Sequence, residues 1–177
     1  MDDRTAEKIL SLSRDLKADS AEVFLRISTS TSIEIKDQKV DAFERARDSG
    51  AGLRVLIGGR TGFSYTTDLT EPSLRELARS AVSSAQNTEP DPFAIIPARS
   101  SSPYQTVNIF DPAIAALSEQ EQIVRVMAME REAYAVDPRV RRIRKASAGF
   151  YQAETLIANS HSASVSYRGT AASASIE

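Results

Sequence analysis

The sequence predicts an α+β fold, an antiparallel sheet with two to three amphipathic helices packed on one face. Three observations carry this reading. Stretches with an apolar period of two alternate with stretches whose apolar period is helical. Short turn sequences such as KDQK and GGR join the strand-like stretches directly, which suits antiparallel pairing and leaves no helical crossover for a parallel sheet. The order is helix, strands, helix, connector, helix, strands, so helices stand beside groups of strands rather than between successive ones.

Residues 3 to 17 place Ala6, Ile9, Leu10 and Leu16 at helical spacing, with acidic residues at the start and Lys17 in the last turn, and read as an amphipathic helix. From Ala21 the period becomes two. Val23, Leu25 and Ile27 share a face, and after the polar STSTS segment Ile33 and Ile35 keep the same parity, giving one long bent strand or two consecutive ones. KDQK serves as a turn into a less regular strand through Val40 and Phe43.

In GLRVLIGGRTGFSYTTDL two β-rich runs flank Gly58 and Gly59, which can adopt the positive φ a tight hairpin demands. Thr70 with Pro72 marks a helix start, and Leu74, Leu77, Ala78, Ala81, Val82 and Ala85 form its apolar stripe up to Asn87. Prolines at 90, 92, 97 and 103 with a Ser run break both helix and sheet, so this stretch is an extended connector. Ser118 with Glu121 forms a capping box for a helix carrying Ile123, Val124, Val126, Met127, Ala128 and Ala135, stopped by Pro138. Residues 140–150, 154–159 and 164–176 read as three further strands. The expected organisation is an α+β unit over 1–88, a Pro/Ser-rich connector over 89–110, and over 111–177 a helix with antiparallel strands of the same domain.

With 22 Lys and Arg against 24 Asp and Glu, the net charge of −2 gives no electrostatic footprint for nucleic acid or anionic membrane. Absence of Cys removes disulfides, thiolate zinc sites and cysteine nucleophiles. The start of the chain lacks the basic and apolar regions of a signal peptide, and no apolar run approaches a membrane span, so a cytoplasmic location is expected. A single histidine, His161, cannot supply the two imidazoles of an H-E-x-x-H zinc motif, and NSHSAS offers no nucleophile elbow.

Each candidate for chemistry has a structural reading that outweighs it. GGRTG lacks the Lys-Ser/Thr of a phosphate loop and is followed by β-type residues, so it is a hairpin turn. DPRVRRIRK packs Arg139, Arg141, Arg142, Arg144 and Lys145 together, but as a strand it divides them between two faces, a solvated strand or polar interface rather than a nucleic-acid site. Glu130 and Glu132, set among Arg125 and Arg131, read as an exposed helix face with intrahelical pairs. His161, between two serines, reads as an exposed turn residue. No catalytic, cofactor-binding or metal residue is therefore assigned.

Particular segments, rather than pattern, resemble a family. The stretch from ADSAEVFLRI to GGRTGFSYTTDL, with its Gly-x-Gly-Leu-Arg-Val-like segment and following hairpin, together with EPDPF, VNIFDP, AVDPRV and IANSHSASVSYRGT, resembles the N-terminal region of the TldD/PmbA family. That family is described as metallopeptidases and, for the PmbA branch, as modulators of DNA gyrase. Asn159, Ser160, Tyr167 and Thr170 are similar to the PmbA branch's Asn-Ser-x-Gly and Tyr-x-x-Thr pattern, with Ser162 standing where Gly is commoner.

The resemblance implies a PmbA-like subunit cut before the family's C-terminal domain, without its own zinc motif. It implies zinc in a TldD-like partner and a complex that processes or degrades peptides, in which this segment serves as scaffold or channel wall. Strand edges are the expected contact with partner or peptide. Self-association, or a free-standing interaction module unrelated to proteolysis, is the alternative; no membrane or nucleic-acid partner is expected.

Overall fold

The structure is a computed structural model describing residues 3–177. Among the described residues there are four helices, α1 (Asp3–Asp15), α2 (Glu71–Gln86), α3 (Pro112–Ala115) and α4 (Glu119–Ala135). The strands are β1 (Ser20–Lys36), β2 (Lys39–Ile57), β3 (Arg60–Thr66), β4 (Ala146–Asn159) and β5 (Ser164–Ile176), in one antiparallel sheet of order β3-β2-β1-β4-β5. The fold is α+β, as the alternating periods require. By internal contact the chain divides into two compact units, 1–27 with 48–107 and 154–167, and 28–47 with 108–153 and 168–177.

In the first unit α1 and α2 bury their stripes against the sheet. Ala6, Ile9 and Leu12 of α1 and Leu74, Leu77, Ala78, Ala81 and Ala85 of α2 pack with Val23, Leu25, Leu53, Val55 and Leu156. The strand residues alternate because only one strand face meets the helices. Leu16, assigned to the apolar stripe by spacing, lies past the helix end and is exposed; Leu12 fills the core instead. The β2–β3 turn places Gly58 and Gly59 at φ 56° and 74°, the signature of a type I′ hairpin. Beyond it α2 crosses β3 so closely that a Cβ on Gly62 would sit 2.0 Å from the Ala81 carbonyl oxygen. Thr70 is the N-cap of α2 by its backbone but accepts no capping bond. Asp68 gathers the local donors instead, accepting from Thr70 N at 2.9 Å and from the Ser73 hydroxyl at 2.6 Å. The Ser73 hydroxyl, then the Thr70 amide, hold its carboxyl below the ordinary carboxylate range.

The connector after α2 is extended but pinned. Asp91 N donates to Gly59 O at 2.8 Å, Arg99 N donates to His161 O at 3.4 Å, and Ile96 is buried.

In the second unit α4 covers Ile33, Ile35, Ala146 and Ala148 with Val126. Its start is the capping box read from the sequence: Glu121 N donates to Ser118 Oγ at 3.3 Å and Ser118 N to Glu121 Oε2 at 2.8 Å. Its buried line is Gln122, Val126 and Glu130, spaced four apart, while Val124 faces solvent.

One strand reading is narrowed to the first of its two alternatives and two others change. β1 is one strand, and the weak strand after KDQK is continuous with the one entering Gly58 as the 19-residue β2. β4 runs unbroken from Ala146 to Asn159, so the two strands expected there are one, and residues 140–145 lie outside it. Asp137 causes that late start. Its carboxylate accepts Arg139 N at 2.7 Å and its carbonyl accepts Val140 N at 2.9 Å, so these amides are spent on a turn after the proline-bearing stop.

Candidate functional site: an open strand edge

The sheet has two edges of unlike character. β3 has seven residues, lies under α2, and sends its Arg60 guanidinium to the Thr88 carbonyl, so it is short and covered, which blunts edge pairing. β5 has thirteen residues, and Ala171 to Ile176 are all exposed.

The hydrogen bonds give the direction of every main-chain group on β5. Glu177 N donates to Lys145 O at 3.0 Å and Lys145 N donates back to Glu177 O at 3.4 Å, while Asn159 N donates to Ala163 O at 2.9 Å. Both pairs share one register without a bulge. Odd-numbered residues of β5 therefore exchange bonds with β4, and even-numbered ones turn their N–H and C=O outward. Thr170 confirms the alternation: its N–H donates to Ile109 O of the connector at 2.9 Å, and its hydroxyl accepts Asp111 N at 2.8 Å. Beside this contact the Arg168 guanidinium stacks on the Phe110 ring at 4.1 Å. Past Thr170, Ala172, Ala174 and Ile176 present outward groups that no other segment of the described residues meets. This stretch, AASASI, has no charge, proline or bulge to deter a second strand.

The residues singled out by sequence fall elsewhere. His161 is an exposed turn residue whose N–H donates to Asn159 Oδ1 at 2.9 Å. Asn159 is the working residue there, accepting also from Ala163 N at 3.1 Å and donating Nδ2 to Pro97 O at 2.8 Å. An Asn leading a four-residue link between strands was the available signal for it.

Glu132 pairs with Arg131 at 3.6 Å as expected of an exposed face, but Glu130 corrects that reading: it is 0% exposed. Its carboxylate accepts Asp37 N at 2.9 Å, Gln38 N at 2.7 Å and Gln38 Nε2 at 2.8 Å, holding the β1–β2 turn. That turn needs it, because Asp37 and Gln38 sit at φ 53° and 57° without being glycine. Nothing local to α4 signals such a partner.

The basic run is not a strand. Arg139 pairs with Asp137 at 2.7 Å, Arg144 with Glu177 at 3.2 Å and Lys145 with Glu34 at 2.7 Å. The Glu34 bond raises the Lys145 pKa above its ordinary value.

Among the described residues no group of three His, Asp or Glu side chains could share a metal ion. With one His and no Cys the donor set does not fit a zinc centre, and no chemical step is derived through one. Among the described residues no helix is long and apolar enough to cross a membrane.

Fold and edge together define an α+β domain whose outstanding chemical resource is main-chain pairing. Comparison with known proteins makes this specific. The profile described as PmbA/TldA metallopeptidase domain 1 matches residues 21–85, and that of the PmbA/TldA metallopeptidase central domain matches residues 112–177. Metalloprotease PmbA of Escherichia coli O157:H7 is 26% identical over 147 residues, covering 82% of this chain and 32% of the relative, so the chain spans about a third of that protein's length. TldE from Thermococcus kodakarensis superposes with TM-score 0.75 at 16% identity over 95% of this chain and 37% of its own. A proposed modulator of DNA gyrase from Bacteroides thetaiotaomicron does so with TM-score 0.79 at 20% identity, over 98% and 40%. The chain belongs to the TldD/PmbA family.

Proposed function

We propose that this chain is the N-terminal part of a PmbA-like subunit of a peptide-processing metalloprotease complex, serving as scaffold without catalytic residues of its own. It docks a TldD-like subunit through the outer edge of β5, and the zinc resides in that partner. The observation that carries the reading is the exposed, uncharged edge at Ala172, Ala174 and Ile176. A partner strand there gains up to two main-chain bonds per outward residue whatever its side chains. Two adjacent family domains and a relative named a metalloprotease support the context.

The test uses Ala174→Pro in the full-length protein. Its N–H points away from β4, so proline removes an outward donor while sparing the β4 ladder. The expected result is unchanged circular dichroism with loss of co-purification of a TldD-like subunit. Retained co-purification, or an edge already paired within the full-length chain, overturns the docking assignment.

A further inference from the structure

Within the second unit the β5 edge is closed at one point, Thr170, where the connector crosses it. The carbonyl oxygen of Ile109 takes the outward Thr170 N–H at 2.9 Å, so the main chain of Ile109 stands where that of a sixth strand would run.

The crossing is anchored on both sides of that bond. Asp111 N donates to the Thr170 hydroxyl at 2.8 Å, and the Arg168 guanidinium lies over the Phe110 ring at 4.1 Å. The Ile109 side chain fills the space beside Gly169, where an added Cβ would lie 3.6 Å from Ile109 Cδ1. The chain then leaves the edge. Pro112 has no N–H with which to continue pairing, and the Asp111 carboxylate accepts Ala113 N at 2.8 Å to start α3. One outward position is therefore covered and no more: the outward N–H groups of Arg168 and of Ala172, on either side of Thr170, have no partner among the described residues.

The open run beyond Thr170 carries little register information. Ala172 and Ala174 are identical, and Ala171, Ser173 and Ser175 differ only by a hydroxyl, so a partner strand shifted by two residues, about 7 Å, meets nearly the same surface. The crossing removes that degeneracy on one side. A strand sliding past Ala171 collides with Ile109, and displacing it breaks two hydrogen bonds and a ring contact in return for at most two main-chain bonds at Thr170. The partner that fits is a strand with an end at Ala171, where its chain turns away, rather than one running through along the whole edge. We propose that the Ile109–Asp111 crossing is a register stop, which sets how far a docked strand extends along β5; it rests on the docking reading above and assigns a strand terminus as the partner element at this edge.

Amide exchange of the full-length protein, with and without a TldD-like subunit, tests it at the Arg168 amide. In the wild type, complex formation is expected to slow exchange at Ala172, Ala174 and Ile176 and to leave Arg168 unchanged. Phe110→Ala combined with Thr170→Val removes the ring and the hydroxyl acceptor; the docked strand then advances, and exchange at Arg168 slows at least about tenfold in the complex, since its outward N–H gains an acceptor. Phe110→Tyr with Thr170→Ser keeps both contacts and the wild-type pattern. Unchanged exchange at the β4-facing amides of Ala171 and Ser173 shows that the sheet of each variant is intact. Protection of Arg168 in the wild-type complex, or no gain there in Phe110→Ala/Thr170→Val with its sheet intact, overturns the stop and leaves the docking reading standing. Unchanged exchange at Ala172, Ala174 and Ile176 in the wild-type complex overturns the docking reading, and the stop with it.

Discussion

Replacing Glu130 tests whether a buried carboxylate, rather than the turn sequence, holds the β1–β2 hairpin closed. In Glu130→Ala two main-chain donors, Asp37 N at 2.9 Å and Gln38 N at 2.7 Å, lose their acceptor. A hydrogen bond to a charged group contributes about 1.5–3 kcal/mol, and because water reaches this exposed turn the lower end applies to each, about 3 kcal/mol in all. The turn magnifies the effect, since two non-glycine residues at positive φ cost on the order of 1 kcal/mol each. Glu130→Gln retains one acceptor but sets an amide donor against the second N–H, and loses about half as much, ~1.5 kcal/mol. Urea unfolding measures both, and amide exchange at Asp37 and Gln38 localises them. Losses below about 1 kcal/mol for Glu130→Ala, with unchanged protection of the Gln38 amide, refute the reasoning.

Gly62→Ala drives a methyl group to within 2.0 Å of the Ala81 carbonyl and 2.5 Å of Ala85 N, so α2 must lift from β3. The expected cost is about 1–3 kcal/mol or more in chemical denaturation. Asn159→Ala removes three main-chain contacts from a buried side chain and costs about 3 kcal/mol, whereas His161→Gln stays within ~0.5 kcal/mol, both read by thermal melts. For α4, the Ser118 hydroxyl, then its amide, holds the Glu121 carboxyl below the usual 4.5. A folded value below the unfolded one means that the capping contribution is complete above about 4.5 and is lost as pH falls through the lower folded value. The protection factors of the first-turn amides of α4, taken relative to intrinsic exchange at each pH, therefore fall in acid, and Ser118→Ala, which leaves only the main-chain bond to Glu121, reduces that pH dependence.

Elements governed by local chemistry were legible in the sequence. The Gly58-Gly59 turn, the Ser118–Glu121 box and the alternation through Val23 and Leu25 each depend on residues a few positions apart. Elements governed by distant partners were not. The first half of β2 looks irregular because both its faces are largely exposed, which erases the alternation a half-buried strand shows. Residues 140–145 have strand-like composition, yet the Asp137 carbonyl takes the Val140 amide that would begin the ladder. Glu130 reads as a surface acid until the hairpin tip arrives from β1 and β2 to meet it. The candidate edge was only partly visible: AASASI shows a strand without deterrents, but which amides turn outward follows from the pairing of Lys145 with Glu177.

Amide exchange of the full-length protein, alone and with a TldD-like subunit, tests the docking account most directly at Ala172, Ala174 and Ile176. The account predicts rapid exchange at these three amides in the subunit alone and strong protection on complex formation, with the β4-facing amides of Ala171 and Ser173 protected in both states. Unchanged exchange at the outward amides when the complex forms would contradict it.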